Sequence, residues 1–139
     1  MFRRIESLGL REAVTLRPAF SQDEAVRLYQ AHHLVLHPKY LDPCPTVAIE
    51  ALATGLPVVG SVSGGMPELV PTGCGKLIPA PLVWDRLITP TGEEMAAAVA
   101  EISPRLEEYS AAARRHAEAA FDCHKWVEGH HRIFSSFPP

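Results

Sequence analysis

The sequence has little of what would staple a small secreted domain or build a metal centre. Its three cysteines, Cys44, Cys74 and Cys123, lie far apart and form no Cys-x-x-Cys pair. An odd, scattered set argues against a disulfide scaffold and a structural zinc site, and makes a reducing cytoplasm the expected compartment. No apolar run approaches the roughly 18–20 residues of a membrane span. The opening MFRRIESLGL has basic residues but no apolar core after them, so it does not read as a secretory signal. Positive charge is also short. Thirteen Lys and Arg against sixteen Asp and Glu leave a net charge of −3, which argues against nucleic acid as a partner. His-Glu-x-x-His and similar ligand sets are missing, and the adjacent pairs His32-His33 and His130-His131 would diverge on a helix. The dinucleotide-binding and P-loop glycine patterns are missing too, so neither a metal nor a cofactor is expected.

What is present is a soluble, globular composition of 139 residues, with 47% apolar and 21% charged side chains. That length fits one domain able to bury a proper core. The chain alternates short strands and helices. Val14-Thr15-Leu16 reads as a strand. Ser21-Gln22-Asp23-Glu24 is a capping box that opens a helix carrying Ala25, Val26, Leu28 and Tyr29 toward a core. Leu34-Val35-Leu36 reads as a strand buried on both faces, and Thr46 as the cap of a helix that ends at Gly55. Pro57 to Gly60 and Lys76 to Ile78 supply further strands, and Pro67 suits the start of a helical turn. Thr91-Gly92-Glu93-Glu94 is a second capping box. The remainder reads as helical, ending in a segment over about 122–135. This alternation predicts an α/β fold with a parallel sheet, whose ligands sit beyond the carboxyl ends of the strands.

Two loops fall at such ends, residues 37–46 and 61–67, and they hold the unusual chemistry. Asp42 and Glu50 are separated by seven residues. They read either as hydroxyl-binding carboxylates facing one crevice or as a turn acid and an ordinary helix acid. Glu50 sits in a helix otherwise almost wholly apolar, and a charge there needs a reason. The N–H groups of Thr46 and Val47 lie at a helix start, which favours a phosphate by about 0.3–1 kcal/mol per charge. Gly64 and Gly65 would let a backbone approach a ligand closely, or would simply form a turn.

Taken together, the stretch LYQAHHLVLHPKYLDPCPTVAIEALATGLPVVGSVSGGMPELV, from Leu28 to Val70, resembles the C-terminal domain of retaining GT-B glycosyltransferases. That family includes the glycogen and sucrose synthases. Its acid-seven-acid spacing, Ala-rich helix, Pro-Val-Val strand and Gly-Gly-x-Pro-Glu loop match Asp42, Glu50, Pro57-Val58-Val59 and Gly64 to Glu68. The resemblance implies an incomplete Rossmann-like parallel sheet flanked by helices, over residues 1–139. It also implies transfer of a hexosyl group from a nucleotide-sugar with retention, in polysaccharide or glycoconjugate synthesis, without a bound metal. Asp42 would take the catalytic position, holding hydroxyls of the donor sugar near the reacting carbon. Glu50 would bind the ribose, Thr46 and Val47 the diphosphate or sugar, and Gly64 and Gly65 would shape the donor pocket. Phe20 would pack near the base.

The chain also departs from that pattern. Aspartate replaces the first glutamate, and Cys44-Pro45 replaces the usual Phe-Gly, so a proline removes one N–H. The acceptor-binding N-terminal domain and the first strand of the C-terminal domain have no counterpart in this sequence. The expectation is the distal part of a transferase, a fragment or truncated gene, inactive alone, whose acceptor is bound elsewhere. The full-length enzyme is expected to associate peripherally with a membrane. A bare sheet edge would invite a second copy. The competing reading is a non-catalytic interaction module that kept the fold. A nucleotide-sugar epimerase is a third, disfavoured by the spacing of the two acids.

Overall fold

A computed structural model describes residues 2–137. A short helix α1 (Phe2–Ser7) leads to α2 (Gln22–Gln30), β1 (Val35–His37), α3 (Thr46–Ala53) and β2 (Val58–Ser61). Then follow α4 (Met66–Leu69), β3 (Gly75–Ile78), α5 (Gly92–Ile102), α6 (Leu106–Ala120) and α7 (Cys123–Ser135). The strands form one parallel sheet in the order β1-β2-β3, with Val35 opposite Val58 and Val58 opposite Gly75.

The core follows from the two-residue period of β2, which is buried along its whole length. Val58 faces Tyr29, Ala51, Leu52, Met66, Ala113 and Ala117, the inward faces of α2, α3, α4 and α6. Val59 faces the other way, against Ile78, Met95, Ala98, Ile102 and Tyr109. Leu52, Met66 and Ile102 are fully enclosed, and each such side chain stabilises the fold by about 1.5–3 kcal/mol. The guanidinium of Arg114 on α6 donates to the carbonyl of Ala53, which ties the end of α3 to its neighbour. Both capping boxes form. Ser21 Oγ accepts from Glu24 N at 3.3 Å while Glu24 Oε2 accepts from Ser21 N at 2.9 Å, and Thr91 and Glu94 repeat the arrangement.

Four local expectations are corrected. Val14 to Leu16 is not a strand. The segment runs without regular structure because, among the described residues, no strand pairs with it. β1 is an edge strand rather than one buried on both faces, and Leu36 is half exposed. Val26 on α2 points to solvent, leaving Tyr29 as that helix's buried anchor. Finally, Pro45 takes the cap position of α3 and no side chain caps it, so Thr46 is the first helical residue.

Candidate functional site

The chain leaves β1 at His37 and turns through Tyr40-Leu41-Asp42. Leu41 adopts the left-handed conformation with φ 53°, a state that costs a branched residue about 1 kcal/mol or more. Bonds to the second loop hold it there. Its N–H donates to Ser63 Oγ at 3.0 Å, and Gly65 N–H donates to the carbonyl of Asp42 at 2.8 Å. Ser63 Oγ in turn donates to the buried Ser61 Oγ at 3.1 Å. The phenol of Tyr40 is anchored in the opposite direction. Its single proton is donated to the carbonyl of Pro81 at 2.6 Å, with that of Val83 at 3.0 Å as the alternative acceptor, and its oxygen accepts from Val83 N–H at 2.8 Å.

The Asp42 carboxylate is engaged within its own loop. Lys39 Nζ lies 3.1 Å from Oδ2. His37 Nε2 lies 3.3 Å from the same oxygen, near enough for attraction but not aligned as a hydrogen bond. The Lys39 contact is the main cause that holds the Asp42 carboxyl below the usual carboxylate range. Partial burial opposes it, and the Lys39 charge, the Cys44 N–H and the His37 charge assist.

Gly64 and Gly65 serve loop packing. A Cβ on Gly64, which has φ +60°, would stand 2.1 Å from the carbonyl oxygen of Asp42, and one on Gly65 would stand 2.2 Å from that of Pro43. The close approach that the glycines permit is therefore between the two loops. Those loops do meet at the carboxyl end of the sheet, and the first turn of α3 rises directly from the Asp42 loop. Its leading N–H groups, at Thr46 and Val47, have no intrahelical partners by the geometry of any helix start, and the cap residue offers no side-chain acceptor.

Glu50 lies one turn further along α3, on the side of the helix that meets α2. Its side chain is exposed, and its Oε2 accepts a hydrogen bond of 2.7 Å from the hydroxyl of Tyr29 on α2. It lines a cavity of about 260 Å³ with Gln22, Ala25, Val26 and Tyr29. Asp42 does not line that cavity. Phe20, half exposed, lines a separate apolar groove with Leu28, His32 and Leu36, and Tyr29 forms part of both. The structure thus brings Asp42, Gly64 and Gly65 into contact and starts α3 at Thr46 just after them, while the Val47 side chain lines the Phe20 groove and Glu50 and Phe20 stand on either side of Tyr29.

Sequence reasoning assigned Tyr29 to the core, and its ring is there; the hydroxyl's reach to a residue 21 positions away has no local signal. Lys39, three residues before Asp42, is a loop cation whose pairing with that acid sequence reasoning did not include, and the i,i+3 spacing is its local signal. Larger cavities, of about 540 and 550 Å³, lie on the β3 side around Thr72, Gly73 and Tyr109. Their charges are largely paired among themselves, Lys76 with Glu101 and Arg105 with Glu108, so they offer less to a polar ligand.

Comparison with known proteins gives a consistent picture. A sequence model of the family described as glycosyl transferases group 1 matches residues 1–110. The chain is 43% identical over 68 residues to a D-inositol 3-phosphate glycosyltransferase of Mycobacterium sp. (strain KMS), a match covering 49% of this chain and 16% of that protein. Its similarity to the protein of the same description from Mycolicibacterium gilvum (strain PYR-GCK) is 38% over 90 residues, covering 65% of this chain and 20% of the relative. The matched stretches therefore cover a fifth or less of the length of these relatives. Among solved structures, sucrose-phosphate synthase from Thermosynechococcus elongatus superposes with a TM-score of 0.75 at 24% identity, over 97% of this chain and 35% of that one. That likeness is one of fold.

Proposed function

The chain belongs to the group 1 glycosyl transferases, whose family model covers well over half of it, and from that premise we propose that it is the donor-binding portion of a retaining, GT-B-type glycosyltransferase. The observation that carries the reading is the setting of Glu50. An exposed carboxylate, tethered through one oxygen, opens on a cavity bordered by Gln22 at the start of α2. A carboxylate held in this way accepts hydrogen bonds from a vicinal diol such as that of ribose.

The remaining parts follow the same logic. The N-terminus of α3 carries about half a unit of positive charge, and its free N–H groups at Thr46 and Val47 stabilise the departing diphosphate as charge develops there. Asp42 and the two glycines form the floor under the sugar. The acceptor is bound by a part of the enzyme outside this chain, and the product is a glycan or glycoconjugate. The isolated chain binds nucleotide without transferring sugar.

Calorimetric titration of the chain with UDP, GDP and ADP tests this. Binding to at least one of them is expected, with a loss of tenfold or more in Glu50→Ala, as for a charged hydrogen-bond acceptor removed from a diol. No binding to any nucleotide at millimolar concentration would defeat the proposal. It would favour a second reading, a non-catalytic module, which has one observation of its own: the Asp42 carboxylate is already occupied by Lys39 and His37.

A further inference from the structure

Resting on the donor-binding reading of Glu50, we propose that Tyr29 is a positioning residue that confers on this site its preference for ribose over deoxyribose. A glutamate on an exposed helix face has several rotatable bonds and sweeps a wide arc, so a ligand must order it on binding and loses affinity accordingly. Here the arc is closed. The ring of Tyr29 is packed in the core against α3, which fixes the position of its hydroxyl, and that hydroxyl holds Glu50 Oε2 at 2.7 Å. Among the described residues it is the one side chain bonded to that carboxylate, so Oε1 stays free to accept from a ligand hydroxyl.

The phenol suits this task chemically. Burial in the first place, then the bond to Glu50 and its charge, push the Tyr29 hydroxyl well above its ordinary range, so it remains a protonated donor through neutral and mildly alkaline pH. Its donor therefore stays directed at the carboxylate wherever a nucleotide would be bound. Tyr29 also forms part of both the Glu50 cavity and the neighbouring Phe20 groove, so the aromatic ring is the wall between them.

The test compares UDP, GDP and ADP with their 2′,3′-dideoxy counterparts on the unsubstituted chain and on Tyr29→Phe, which keeps the ring. The expected result is a preference for the ribonucleotide that falls about tenfold in Tyr29→Phe, the effect of one hydrogen bond, while dideoxynucleotide affinity is unchanged. An equal loss for both ligand types marks a structural role only and overturns the inference. So does an unaltered preference. If the unsubstituted chain binds no nucleotide, it is the donor-binding reading itself that fails. A second measurement does not depend on Tyr29→Phe folding. The Tyr29 hydroxyl proton is expected as a slowly exchanging NMR signal in the unsubstituted chain, abolished in Glu50→Ala; its survival there also overturns the inference.

Discussion

Asp42 and Glu50 are two carboxylates separated by seven residues in a single loop-and-helix unit, and the protein treats them in opposite ways. Asp42 is mostly covered, pulled by a lysine and a histidine of its own loop, and its backbone carbonyl is bonded to the next loop. Glu50 is exposed and, among the described residues, has one side-chain partner, from a different helix. One acid is built into the architecture and the other is presented by it. Equal spacing from a motif does not mean equal employment, and the partners of a carboxylate tell which is which.

Substitutions can break that contrast. The largest effect is expected in Gly64→Ala, which drives a Cβ into the Asp42 carbonyl and forces a left-handed alanine. Urea denaturation should show a loss of about 3 kcal/mol or more; a near-normal midpoint would mean that the two loops are not locked together. Asp42→Ala should destabilise less, and in a pH-dependent manner. The folded-state pKa of Asp42 lies below its unfolded value, so its contribution is complete above the unfolded pKa and is lost as pH falls through the folded one. The gap between the melting temperatures of the two proteins should be present at about pH 7 and vanish toward about pH 2. A gap independent of pH would assign the effect to packing rather than charge.

Smaller effects sharpen the other side. Ser21→Ala removes the side-chain half of the cap that orients α2 and, through it, Tyr29; a loss of about 1 kcal/mol is expected in thermal melts. Glu50→Gln should be the mildest for stability, within about 0.5 kcal/mol, because the amide oxygen still accepts from Tyr29. A large destabilisation there would move Glu50 into the same class as Asp42 and erase the distinction.

Much of the fold was legible because its signals are local. Ser21 with Glu24 and Thr91 with Glu94 announce helix starts within four residues, and the apolar run around Val58 and Val59 announces a central strand. What misled was decided at a distance. Val14 to Leu16 has strand composition, but a strand is defined by a neighbour, and no described residue supplies one. Leu36 looks as apolar as Val58 and differs only in lying at the sheet's edge. At the site, the loops and the residues on them were readable from strand ends and glycines. The division of labour was not, since the partner of Glu50 comes from α2 and the atom that Gly64 makes room for belongs to Asp42.

The phenol of Tyr40 has a consequence for how the molecule breathes. It grips Pro81 and Val83 in the irregular stretch between β3 and α5, where Leu82, Trp84 and Leu87 stand mostly in solvent. Such a stretch should exchange its amide hydrogens and admit a protease readily. The Val83 amide, bonded to the Tyr40 oxygen, becomes a slow position within a fast one. Its rate of hydrogen exchange reports how often that single fastening lets go, and so how often the loop bearing Asp42 loosens with it.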